Sequence, residues 1–104
     1  MRILPSLLAA LLVTTAACRA PVTSTIILVR HAERPPGTDP DLNAAGYARA
    51  ESLATALART NVDGVLHTQF KRTQQTAAPL AKSKSLTPVV VSAAGTEAQH
   101  AQAV

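Results

Sequence analysis

Apolar and polar positions alternate along the chain in blocks. Residues 3–13 are apolar, with the short positive start Met1-Arg2 before them and the small residues Thr15-Ala16-Ala17 and then Cys18 after. This is the three-part layout of a secretory signal. Pro5 and the abrupt polar turn at Cys18-Arg19 argue against a core helix, and a membrane span would need ~20 apolar residues. Residues 1–18 therefore read as a signal peptide, 19–24 as a linker and 25–104 as part of one folded domain.

Within that domain Thr25-Ile26-Ile27-Leu28-Val29 is a β-branched apolar run, which predicts a strand buried on both faces, as in parallel sheets. Polar residues follow at once (Arg30-His31-Ala32-Glu33-Arg34), then a loop dense in turn formers, Pro35-Pro36-Gly37-Thr38-Asp39-Pro40-Asp41. Asn43 is a good N-cap, and Ala50, Leu53, Ala54 and Leu57 recur at three- and four-residue spacing, which predicts an amphipathic helix over 44–59. A turn at Asn61-Val62-Asp63-Gly64 leads into a short second strand, Val65-Leu66-His67. Thr68 can cap a second helix over 69–81, which Pro79 is expected to kink or shorten. Residues 88–91 read as a third strand and 97–104 as the opening of another helix.

Strand, helix, strand, helix, strand is the grammar of an α/β fold with a parallel sheet and right-handed crossovers. In such sheets ligands bind beyond the carboxyl ends of the strands. Both polar clusters, Arg30-His31 and residues 68–72, follow a strand directly. Parallel strands place them on one edge.

Composition narrows the chemistry. The chain has 104 residues, a formal net charge of +4, one cysteine, one Tyr and one Phe. Its basic residues are scattered and its aromatics few, which excludes the clustered Lys/Arg and stacking rings of a nucleic-acid binder. Alanine-rich segments imply a thin core in a domain this small. Cys18 has no partner for an internal disulfide and no second thiol for a metal site. The run Val13-Thr14-Thr15-Ala16-Ala17-Cys18 resembles a bacterial lipobox, whose cysteine is lipidated and anchors the protein to a membrane, although Thr15 stands where Leu is usual. Ordinary cleavage near Ala17 or Ala20 is the alternative and leaves a soluble periplasmic protein. Both predict export.

Arg30 and Arg72 are fork-shaped donors suited to phosphate oxygens, and the start of the second helix favours an anion. A neutral His31 imidazole facing a phosphoryl group held there would be a nucleophile. Competing motifs fail. His31-Ala32-Glu33 has the H-x-E of a zinc deaminase without its P-C-x-x-C, the glycines form no phosphate loop, and no serine sits in a G-x-S-x-G elbow.

At these residues the sequence resembles the histidine phosphatase superfamily, also called phosphoglycerate-mutase-like. An apolar strand followed by Arg-His-Gly opens that family, and here it stands as Ile26-Ile27-Leu28-Val29-Arg30-His31-Ala32-Glu33. Leu42-Asn43-Ala44-Ala45-Gly46-Tyr47-Ala48-Arg49-Ala50 is similar to its Leu-Thr/Ser-x-x-Gly-x-x-x-Ala helix start. His67-Thr68-Gln69-Phe70-Lys71-Arg72-Thr73-Gln74-Gln75-Thr76-Ala77-Ala78-Pro79-Leu80-Ala81 is similar to its Ser/Thr-x-x-x-Arg-Ala/Thr-x-x-Thr-Ala block.

The resemblance implies a three-layer α/β/α fold with a parallel sheet, incomplete at the C-terminus of this chain. It implies a phosphorylated substrate, no metal or other cofactor, and catalytic roles for His31, Arg30 and Arg72. His31 would become phosphohistidine while Arg30 and Arg72 hold the phosphate. Ala32 in place of the motif glycine leans towards a small phosphatase branch. The family's second active-site histidine lies on a later strand that this chain does not reach. His100, in a helix-like stretch, is a poor substitute, and His67 reads as structural. Glu97 and Glu33 are the candidate acids, and Glu33 is equally placed to organise its loop through an arginine neighbour. Two functions follow: a phosphomonoester phosphatase working through phosphohistidine, or a truncated copy of one; and a non-catalytic exported lipoprotein retaining an anion-binding half-site. A small sugar phosphate, a phosphorylated protein histidine and an inorganic polyphosphate all remain open as substrates.

Overall fold

The computed structural model describes residues 17–95 and Gln102. The elements run α1 (Ala44–Ala56), β1 (Leu66–His67), α2 (Lys71–Ser83) and β2 (Val89–Val90). β1 and β2 pair in parallel, Leu66 opposite Val89 and His67 opposite Val90. The bonds Val89 N–H to Val65 O (2.9 Å) and Val91 N–H to His67 O (2.8 Å) carry the pairing to the flanking residues. α2 is the crossover between the strands, as the alternating pattern predicts.

Each helix boundary has a local cause. Asn43 is extended, and its Oδ1 accepts from the Gly46 N–H at 2.9 Å, which starts α1. The helix stops earlier than the expected Arg59, because Ala58 and Thr60 bond back only three residues, to Thr55 and Leu57. Extended Phe70 precedes α2, so this helix begins two residues later than expected. Thr68 does not cap it and meets Thr73, hydroxyl to hydroxyl at 2.8 Å. Pro79 lies inside α2 without ending it. The C-terminus closes on Ser85 at φ +54°, with Ser85 N–H to Lys82 O and Leu86 N–H to Ala81 O. That pair of bonds is a Schellman motif, and Leu86 packs back on the core beside it.

α1 and α2 pack against each other around Ala54, Val65, Leu80 and Ala81, and Ala32, Leu42 and Ala50 form a second cluster. The core is thin and mostly alanine, as composition implies.

One expectation is corrected. Residues 25–29 form no strand, and Ile26 and Leu28 are 74% and 95% exposed. A strand buried on both faces needs neighbours on both edges, and among the described residues nothing pairs with this run. The described residues thus form two helices on a two-stranded parallel sheet, a part of an α/β fold compatible with the expected one but without its three layers. Cys18 is exposed and unpaired with any other thiol. The expected signal segment up to residue 16 lies outside the described residues, as do Glu97 and His100. No helix of the described residues is long and apolar enough to cross a membrane.

Candidate active site

The segment after residue 29 is anchored at several points. Ala32 is 1% exposed, and its N–H donates to Thr76 Oγ1 at 2.9 Å. Thr76 Oγ1 donates in turn to the Arg72 carbonyl at 2.6 Å. The Glu33 carbonyl accepts from Asn43 N–H at 3.0 Å and lies against Gly46, where a Cβ would sit 2.1 Å from that oxygen. Only glycine lets α1 approach so closely. Leu42 N–H reaches Gln75 Oε1 at 2.8 Å, and Gln75 Nε2 reaches Asp41 Oδ1 at 2.7 Å. The loop therefore rests on α1 at one end and α2 at the other.

His31 is half-buried, with Nδ1 2.8 Å from the Ala32 carbonyl oxygen. A carbonyl only accepts, so in the neutral ring Nδ1 carries the proton and Nε2 keeps its lone pair. Arg30 is exposed and shares a groove of about 300 Å³ with Arg49, Ser52 and Thr76. Arg72, on the first turn of α2, is half-buried with its guanidinium 4.1 Å from the centre of the Phe70 ring, a cation–π contact. Thr76 touches both clusters: it lines the groove of Arg30, and it joins the backbone after His31 to the backbone of Arg72.

The start of α2 is not empty of charge. Lys71 N–H donates to Asp39 Oδ1 at 2.9 Å, so a carboxylate from the turn-rich loop caps this helix. Asp41 lies 3.8 Å from Lys71 Nζ. An anion arriving at α2 would share the helix end with Asp39.

Glu33 Oε1 accepts from Arg49 Nε at 2.6 Å and pairs with Nη2 of the same guanidinium. That bond, with the charge behind it, holds the Glu33 carboxyl below its usual value of 4.5 and raises the Arg49 pKa. An ionised, paired carboxylate suits a loop anchor better than a proton donor. His67 has the same lock as His31, Nδ1 to the Thr68 carbonyl at 2.7 Å, but faces a different groove, of about 460 Å³, beside Gln74 and Pro88. Among the described residues no group of three or more His, Cys, Asp or Glu is placed to hold a metal ion.

A family model, histidine phosphatase superfamily (branch 1), matches residues 26–100. The chain belongs to the histidine phosphatase superfamily. It is similar to phosphoserine phosphatase 1 of Hydrogenobacter thermophilus (strain DSM 6534 / IAM 12695 / TK-6), 41% identical over 59% of this chain and 33% of that relative. The chain thus spans about a third of the length of that relative. His31, Arg30 and Arg72 are legible in the sequence as candidates for this superfamily's chemistry and Gly46 as a motif glycine, whereas Asp39, Arg49 and Gln75, which hold the loop, are not. Thr76 was visible only as a motif letter. A second signal for Gly46 is its place in the first turn of a helix, where glycine is unfavourable unless something must come close.

Proposed function

We propose that this chain carries the nucleophile and phosphate clamp of a phosphomonoester phosphatase that works through phosphohistidine. The observation that carries the reading is the orientation of His31, whose Nδ1–H is committed to the Ala32 carbonyl and leaves Nε2 as the free base. Nε2 attacks phosphorus, the P–O bond to the substrate's alcohol breaks, and the departing oxygen takes a proton from an acid, for which Glu97 is this chain's candidate. Water, giving a proton to the now ionised acid, then attacks the phosphohistidine, the P–N bond breaks, and inorganic phosphate leaves with His31 restored. Arg30 and Arg72 neutralise charge on the transferring phosphoryl group, where most of the catalysis in such reactions arises. Superfamily membership and the similarity to a phosphoserine phosphatase support this reading over a non-catalytic anion-binding lipoprotein.

In the full-length protein, His31→Ala should abolish release of phosphate from p-nitrophenyl phosphate. Arg72→Ala should lower kcat on the order of 10²–10³-fold, as for removal of one transition-state donor. Wild-type turnover by His31→Ala would refute the mechanism.

The exported state belongs to the same proposal. The lone cysteine after an apolar segment, exposed in the structure, fits lipidation at Cys18 and membrane attachment. Mass spectrometry of the mature protein should find a diacylated or triacylated N-terminal Cys18. An unmodified N-terminus at Arg19, Ala20 or beyond would exclude the lipoprotein and leave export intact.

A further inference from the structure

We infer that Thr76 is a positioning residue, which sets the nucleophile His31 in register with Arg72 through a single hydroxyl. The inference rests on the phosphatase reading above and deepens it.

Thr76 is 8% exposed, and the only buried polar or charged side chain among the described residues. Its hydroxyl has one proton, which goes to the Arg72 carbonyl one helical turn back, and it accepts the Ala32 N–H from 44 residues away. The first bond is intrahelical and, with the β-branch, holds the side chain in one rotamer. A lone pair of the oxygen is thereby aimed at the Ala32 N–H.

The contact reaches the reacting atom in two steps. Ala32 is pinned on both sides, its N–H by Thr76 and its carbonyl by His31 Nδ1–H. The Ala32 carbonyl selects the tautomer and sets the ring plane of His31. Thr76 fixes Ala32, and hence the direction of the Nε2 lone pair. Its other bond is to the backbone of Arg72. Nucleophile and clamp are therefore referenced to the same oxygen, although they belong to segments about forty residues apart in sequence. A small displacement of either would spoil the in-line approach to phosphorus, and misplacement by ~1 Å can cost ~10²-fold in rate.

The test compares Thr76→Val, which keeps the shape and removes both hydrogen bonds, with Thr76→Ser, which keeps both. In the full-length protein, with p-nitrophenyl phosphate, Thr76→Val should lower kcat on the order of 10–100-fold with KM within a few-fold of wild type. Thr76→Ser should recover most of that loss. In ¹⁵N spectra of the imidazoles, His31 should be the Nδ1–H tautomer in wild type and Thr76→Ser, and a mixture of tautomers in Thr76→Val. Wild-type kcat and an unchanged tautomer in Thr76→Val would overturn the inference. So would a Thr76→Ser enzyme as slow as Thr76→Val, since the methyl rather than the hydroxyl would then matter. Should Thr76→Val fail to fold, hydrogen exchange in the wild-type protein decides. Ala32 N–H protected in step with the α2 amides supports the inference, and exchange at an open-loop rate overturns it. An active His31→Ala variant would instead remove the phosphatase reading, and this inference with it.

Discussion

Gly46→Ala is the substitution for which the structure makes the least ordinary demand. In a helix interior this change usually stabilises, by roughly 0.5–1 kcal/mol, because glycine has more backbone freedom to lose. Here a Cβ would meet three backbone atoms of Glu33: the carbonyl oxygen at 2.1 Å, its carbon at 3.0 Å and the nitrogen at 3.1 Å. Ordinary carbon–oxygen contacts lie at ~3.3 Å or beyond, so the loop or the helix must shift by about 1 Å. No flexible side-chain end is there to move aside. The shift breaks or stretches the Asn43 N–H to Glu33 O bond and disturbs the seat of Ala32. Lost hydrogen bonding is worth ~1 kcal/mol and overpacking of this kind ~1–3 kcal/mol. Set against the propensity gain, the net is a destabilisation of about 1–3 kcal/mol. Urea unfolding should show it as a lower midpoint at unchanged slope, and turnover should fall on the order of 100-fold as His31 is displaced. Gly64→Ala is the control, because nothing lies within 4 Å of a Cβ there; its stability should be equal to wild type or slightly higher. A Gly46→Ala protein as stable and active as Gly64→Ala would refute the close docking of the His31 loop on α1.

Two further outcomes follow from the charges around the loop. The Glu33 pKa is lowered in the folded protein, so its stabilisation is fully present above the usual carboxylate value and is lost as pH falls through the lower folded one. The stability difference between wild type and Glu33→Gln should therefore be constant near neutrality, fade in acid and shrink in high salt, because the pair is exposed; a difference that persists in strong acid would contradict it. Asp39→Asn keeps an acceptor for Lys71 N–H but removes the negative charge at the start of α2, so inorganic phosphate should bind a few-fold tighter at low ionic strength, with a stability loss of about 0.3–1 kcal/mol. Unchanged or weaker phosphate binding by calorimetry would place the anion away from this helix end.

What could be read from the sequence was what depends on neighbours along the chain. Asn43 as cap of α1, α2 as the crossover, the parallel pairing of residues 65–67 with 88–91, and the alanine core all follow from local pattern. So did Arg30-His31 after an apolar run and Arg72 in the first turn of a helix. Residues 25–29 show the other case. Their composition is that of a buried strand, but a strand exists only through the chains beside it, and a linear pattern does not reveal whether those are present. The start of α2 was misplaced because Thr68 looked like a cap while the actual cap, Asp39, comes from another loop, 32 residues earlier. Thr76, Gln75 and Arg49 likewise act across 16 to 44 residues. Their partners are defined only once α1 and α2 are packed.

In the proposed mechanism His31 accepts the phosphoryl group. Mixing the full-length protein with a ³²P-labelled phosphomonoester, quenching in alkali within one turnover and mapping the label by tandem mass spectrometry tests it directly. An acid-labile, alkali-stable phosphoryl group should appear on His31, formed and lost at rates compatible with turnover and absent from His31→Ala. Steady hydrolysis with no label on the protein, or label on any residue other than His31, would contradict it.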